Sequence, residues 1–146
     1  MDKSTWNFNK EILFGEIGAW FSAPLLAYIV SKFVSSPAAI SISAVIGSVI
    51  GGAIFWVSTR IYHHKKKSKF KPTKLANDIL YFTPIAALLG WTIYNPTVYS
   101  LSHYFLNRGD KVIFSVVLSQ LIAFIIFLIG INSYRFWLHR ISKKRL

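Results

Sequence analysis

The sequence predicts an all-α polytopic membrane protein: four transmembrane helices folded as two consecutive helical hairpins, with both termini on the cytoplasmic side. Three observations predict it. Residues 112–131 form a run of 20 residues without one ionisable side chain. At 1.5 Å per residue this run covers about 30 Å, the thickness of a bilayer's hydrocarbon core. The chain is 53% hydrophobic and 16% aromatic yet carries a formal net charge of +12, an apolarity that a soluble domain of this length does not need. Finally, 14 of the 17 Lys and Arg residues fall in the first ten residues, in the segment 60–74 and in the tail from Arg135. The positive-inside rule puts these three segments in the cytoplasm and leaves Lys32, Arg108 and Lys111 on the opposite side of the cell membrane.

The first span runs over about 12–33 and is apolar except for Glu16 and Lys32, the latter placed to snorkel at an interface. The second, about 38–57, carries no charge and leaves the bilayer at Trp56. A basic loop, 60–75, follows. The third, about 77–105, lacks Lys and Arg but contains Pro84 and Pro96, which predict kinks in one long helix. A span ending near Tyr94 and continued by a short amphipathic helix is the alternative. The fourth, about 112–133, ends short of Trp137 and the basic tail 135–146. No basic region precedes a short apolar core at the N-terminus, so a cleaved signal peptide is not expected. The chain has no cysteine, which excludes disulfides and thiolate chemistry.

Cut at the basic loop, the chain reads as a candidate parallel repeat. One half opens with Glu16, continues through Ser22 and Pro24 and leaves the membrane at Arg60; the other opens with Asp78, continues through Thr83 and Pro84 and leaves at Arg135. Each acid and its Arg fall at the same membrane face on neighbouring antiparallel helices. A lone charge inside the hydrocarbon boundary costs roughly a few kcal/mol, so pairing Glu16 with Arg60 and Asp78 with Arg135 is expected, as is the exchanged arrangement. Such pairs fix helix register, or they line a polar vestibule that admits a charged headgroup.

Small residues predict where helices approach. Ser43, Gly47 and Gly51 recur every four residues, flanked by Ala44, Ser48 and Gly52, a small-xxx-small stripe that lets backbones come together where lipid supplies no hydrophobic drive. The first helix offers Ala19, Ala23, Ala27 and Ser31 at the same spacing, with Glu16 near that stripe. The first two helices are expected to pack through these surfaces, and a homodimer through the glycine face stays open. Phe114, Phe124 and Phe127 make the fourth helix bulkier and partly lipid-facing.

Little in the sequence supports catalysis. His63 and His64 are adjacent among lysines, His103 belongs to the opposite side and His139 to the tail; none has the i, i+4 partner or carboxylate cluster of a metal site. Nucleophile signatures, phosphate-cradling glycine loops and paired catalytic carboxylates are missing as well. A non-enzymatic protein without metal or cofactor is expected. The cluster "HHKKKSKFKPTK" at 63–74 serves as a topology signal or attracts anionic lipid headgroups, worth about 1 kcal/mol per residue near the surface; it has no element that reads bases, so nucleic acid is not an expected partner.

The exits of the second and fourth spans, "Ser58-Thr59-Arg60-Ile61-Tyr62" and "Asn132-Ser133-Tyr134-Arg135-Phe136-Trp137", resemble the GtrA-like family of small four-helix membrane proteins, whose second and fourth helices end in an Asn-Arg-aromatic pattern. The resemblance covers the four helices in outline and about ten residues in detail. Asn132 stands two residues further from Arg135 than the pattern has it, and "GEIGAW" around Glu16 departs from the usual opening. The resemblance implies handling or translocation of a polyprenyl-phosphate-linked sugar, or partnership with a glycosyltransferase, with Arg60 and Arg135 gripping a lipid phosphate near Lys65–Lys67. Two other classes compete with it. A structural or accessory subunit of a larger membrane complex would use Tyr81, Trp91, Tyr94, Tyr99 and Tyr104 as its subunit-facing surface. A small solute or ion carrier needs a polar site at mid-membrane, for which Gln120 and Ser119 read as lying outside the deepest part and Thr92 and Asn95 as unaccompanied.

The topology has a direct test. Because the chain has no native cysteine, single cysteines beside Lys66 and Lys144 can be labelled with an impermeant maleimide; both are expected to react from the cytoplasmic side alone. Labelling from opposite sides overturns the four-span reading.

Overall fold

The computed structural model of the chain describes residues 3–66 and 87–142, with the backbone alone over 3–9, 63–66 and 137–142 and at residues 11, 60 and 135. These residues are helical, with no strand among them. Helix α1 spans Lys3–Ser31 and α2 Pro37–Lys66. A π-helical turn, Gly90–Tyr94, leads into α3, Asn95–Asn107, and α4 spans Val112–Ser142. Among the described residues, three stretches are long and apolar enough to cross a membrane: Ile12–Ser31, Pro37–Thr59 and Val112–Tyr134.

Local chemistry sets the helix ends. Pro37 occupies the first position of α2, where its missing N–H costs nothing, and the preceding Ser36 accepts the Ala39 N–H at 3.5 Å as an N-cap. At the end of α3 the Gly109 N–H donates to the Leu106 carbonyl at 3.0 Å and the Asp110 N–H to the Phe105 carbonyl at 3.2 Å. This pair of bonds closes a helix with a residue in the left-handed region, and Gly109 holds that place at φ 86°.

The third helical region is one continuous stretch over the described residues 87–107. Helix continues through Tyr94 to Asn107, so no separate interfacial helix begins there. The disturbance expected from Pro96 takes the form of the π turn just before it. Pro96 has no N–H for the Thr92 carbonyl; the turn widens, and the Asn95 N–H reaches back five residues to the Gly90 carbonyl. Pro84 lies outside the described residues.

The four helical stretches form a ring: α1 packs on α2, α2 on α3, α3 on α4 and α4 on α1. The α1–α2 and α3–α4 connections meet at one end, since Lys32 and Lys111 border a single groove; Ile12, Trp56, Ala87 and Phe127 border a single cavity towards the other end. Outward surfaces are apolar, with Phe21, Leu25, Phe33, Ile54 and Ile129 all exposed. Such a surface matches lipid and not water.

The tightest contact is between α1 and α2. A Cβ on Gly47 would fall 2.7 Å from the Ser22 carbonyl oxygen and 2.8 Å from the Ala23 Cα. One on Gly51 would run into the Ser22 hydroxyl and the Gly18 carbonyl, and one on Gly18 into the Gly51 carbonyl and the Phe55 ring. Ala19, Ala23 and Ala27 are buried; Ala23 and Ala27 join Ile40 and Ala44 of α2 and Val116 of α4 in one apolar cluster. Gly52 stands apart, because a Cβ there would meet only the Gly15 carbonyl at 3.6 Å and the Ala19 Cβ at 3.9 Å. On α4, Phe114 faces outward, but Phe124 is buried edge-on to Trp20 and Phe127 packs edge-on to Tyr94. Phe124 and Phe127 therefore fill the bundle, opposite the small residues of α1 and α2, while Phe114 faces outward, so the helix is only partly outward-facing.

Gly47→Ala and Gly51→Ala are each expected to destabilise the protein by about 1–3 kcal/mol through overpacking, whereas Gly52→Ala is expected to change stability by no more than about 0.5 kcal/mol. Thermal unfolding in one detergent, followed by helical circular dichroism, reads the contrast.

Candidate functional site

One acid is embedded among the described spans. Glu16 is buried one turn into the Ile12–Ser31 span, and its Oε1 accepts the hydroxyl of Tyr94 at 2.6 Å. Tyr94 closes the π turn. Tyr94 and Asn95 are both buried and both border the same cavity.

A second polar contact ties α4 to α1. Gln120 is fully buried and its Nε2 donates to the Ala19 carbonyl at 3.0 Å. Gln120 is the 9th residue of the span Val112–Tyr134 and Ala19 the 8th of Ile12–Ser31. The Gln120 Oε1 and the Trp20 indole N–H are buried without a hydrogen-bond partner among the described residues. Of the buried serines, Ser43, Ser48, Ser102, Ser115 and Ser119 each bond a carbonyl three or four residues back on their own helix, whereas the Ser41 hydroxyl has no partner among the described residues. Ser22 does more, because its hydroxyl lies 2.8 Å from the Gly18 carbonyl and 2.6 Å from the Gly47 carbonyl across the interface.

Beside Glu16 the bundle opens into a cavity of about 480 Å³, within the size range of small-molecule sites. Glycines make the room. Gly15 from α1, Gly52 from α2 and Gly90 from the π turn all border it, and a Cβ on Gly90 would meet nothing within 4 Å. Trp56, Trp91 and Phe127 supply broad apolar walls, while Glu16, Tyr94, Asn95 and Ser48 supply the polar groups. This is the composition of an amphiphile site: mostly apolar, with a few placed hydrogen-bonding groups.

Of the residues singled out in the sequence, the structure brings together Glu16, Ala19 and Gly52 at this cavity and sets Gly47, Gly51 and Ala23 in the adjoining helix contact. Asp78 lies outside the described residues, as do the side chains of Arg60 and Arg135, and the ion pairs expected of them with it. Tyr94 and Gln120 carry the site's polar contacts without having been singled out for them. Glu16 and Tyr94 are 78 residues apart, and no periodicity links them. A Tyr-Asn pair directly before a proline was the one local signal. Among the described residues no group of three His, Asp or Glu could hold a metal ion. Of the aromatics on the third helix, Trp91 and Tyr104 face outward, Tyr94 faces inward, Tyr99 stacks on His103, and Tyr81 is outside the described residues.

The chain matches no protein-family model, no curated protein and no solved structure. The site is therefore read from its own chemistry.

Tyr94→Phe is expected to cost about 1–3 kcal/mol, because it leaves a buried acceptor without its donor. Tyr94→Phe combined with Glu16→Ala is expected to cost less than the sum of the two single changes, since both remove one shared bond. Unfolding midpoints of the four proteins check the coupling.

Proposed function

We propose that the chain is a four-span integral membrane protein with both termini and the basic segment 60–75 in the cytoplasm, and that it handles an amphiphilic lipid of the polyprenyl-phosphate-linked sugar class without catalysing a covalent step. The cavity beside Glu16 carries this reading. Its walls suit both parts of such a molecule: hydrocarbon against Trp56, Trp91 and Phe127, and sugar hydroxyls against the Glu16 carboxyl and the Asn95 amide. Residue 60 follows Trp56 by one turn of α2, which supports a role for Arg60, with Arg135, in holding the lipid phosphate. The resemblance of the two helix exits to the GtrA-like pattern supports the same assignment. For the fourth span, helix over 87–107 covers about 30 Å, and its turn into α4 lies at the same end as the α1–α2 loop.

A small-solute or ion carrier is the second reading, favoured by Gln120 and the Glu16–Tyr94 pair within the bundle. An accessory subunit is the third, favoured by the outward Trp91 and Tyr104.

Mild detergent extraction followed by mass spectrometry of co-purifying lipids separates the three. The expected result is a monomer or homodimer carrying an isoprenoid phosphate, reduced about tenfold or more in Arg60→Ala/Arg135→Ala through loss of charge-assisted contacts. Gly52→Leu, which grows into the cavity from a position with room for a Cβ, is expected to exclude the lipid while leaving the α1–α2 contact intact. Recovery in a stoichiometric larger assembly without such lipid replaces the proposal with the accessory subunit. Glu16-dependent ion flux in vesicles without lipid binding replaces it with the carrier.

A further inference from the structure

The opposite end of the bundle carries a second feature, independent of the cavity. A groove of about 780 Å³ runs between the end of α1 and the beginning of α4. Lys32, just beyond α1, and Lys111, just before α4, stand at its mouth. They are 79 residues apart in sequence, yet two of the three cations expected on this side converge here. Both are exposed, and neither makes an ion pair among the described residues. The Lys32 ammonium is folded over the Tyr28 ring, 4.5 Å from its centroid, which keeps it at the groove. Arg108, the third cation, instead meets Tyr104 through its guanidinium. Asp110 is the one acid at this end among the described residues.

Below the lysines the groove is apolar. Val112, Phe114, Val117 and Leu121 border it, and from Lys111 to Leu121 helix α4 descends about 15 Å, half the thickness of a hydrocarbon core and so the depth of one leaflet. Cations at the membrane boundary above a slot one leaflet deep complement one kind of occupant: a molecule with an anionic head and a hydrocarbon chain.

We propose that Lys32 and Lys111 hold the phosphate of an anionic phospholipid whose acyl chain lies along the α1–α4 groove. The site differs from the expected attraction of lipid to the basic segment 60–75, because it lies at the other end of the bundle and is built by two loops that only folding brings together. It does not depend on what occupies the cavity beside Glu16.

With no native cysteine in the chain, Phe114→Cys gives a unique label position in the groove. The full-length protein, carrying a bimane at that position, is reconstituted in phosphatidylcholine vesicles containing a small fraction of brominated phosphatidylglycerol. Quenching is expected at far lower mole fractions than with brominated phosphatidylcholine. Lys32→Ala/Lys111→Ala is expected to weaken the preference by about 30-fold, the combined effect of two basic side chains near a membrane surface, while Arg108→Ala leaves it within about twofold, as expected of a cation away from the groove. Val117→Trp, which fills the slot without altering charge, is expected to reduce quenching by both lipids. Equal quenching by the two lipids, or equal loss in the Arg108 and the double-lysine variants, overturns the proposal. Retained helical circular dichroism in each variant ties the outcome to the site and not to folding.

Discussion

The close approach of α1 and α2 is the constraint on which the other features of this bundle depend. Lipid gives apolar helices no reason to associate, so contact has to come from backbones near enough for dispersion and polar atoms to act. Gly18, Gly47 and Gly51 permit that distance, and Ser22 uses it, placing its hydroxyl against a carbonyl of each helix. Because these helices meet through their smallest residues, the bulk that fills the bundle is supplied from α3 and α4, by Tyr94, Val98 and Phe124. The division of labour explains why Phe124 and Phe127 of α4 turn inward although Phe114 faces outward.

The same economy of side chains opens the cavity. Towards the end where α1 begins and α2 continues past Trp56, glycines from three helical segments face one another, and no side chain closes the gap. Polar atoms in such a place have no water to fall back on and need partners. Tyr94 meets this need for Glu16, and Gln120 meets part of its own through the Ala19 carbonyl. Tyr94 makes the first of these contacts from the last position of the π turn. A proline on the far side of the turn gives the irregularity a covalent cause, the loss of one backbone donor.

The two ends of the bundle differ in kind. At one, the helices outrun the hydrocarbon thickness: α2 and α4 have 30 and 31 residues, about 45 Å each where about 30 Å suffices, and the surplus carries the basic residues. At the other, the connections are tight, 32–36 and 108–111, and the few cations there are drawn together over a groove. A long basic end with a glycine-walled cavity and a short end with a lysine-bordered groove make the two ends of the molecule chemically distinct.

Much of this was legible in the sequence for reasons that are local. Long uncharged runs force helix, because a backbone in hydrocarbon has to satisfy its own hydrogen bonds; spacing by four puts small residues on one face; a proline removes a donor wherever it stands. Helical class, three spans of crossing length and small residues along α1 and α2 follow from those rules. The pairing of Glu16 with Tyr94, the contact of Gln120 with Ala19, the inward turn of Phe124 and Phe127 and the convergence of Lys32 with Lys111 do not. Each joins residues from different helices, and one-dimensional spacing holds no information about which faces of separate helices meet. Only the ring order of the helices, a product of packing, decided them.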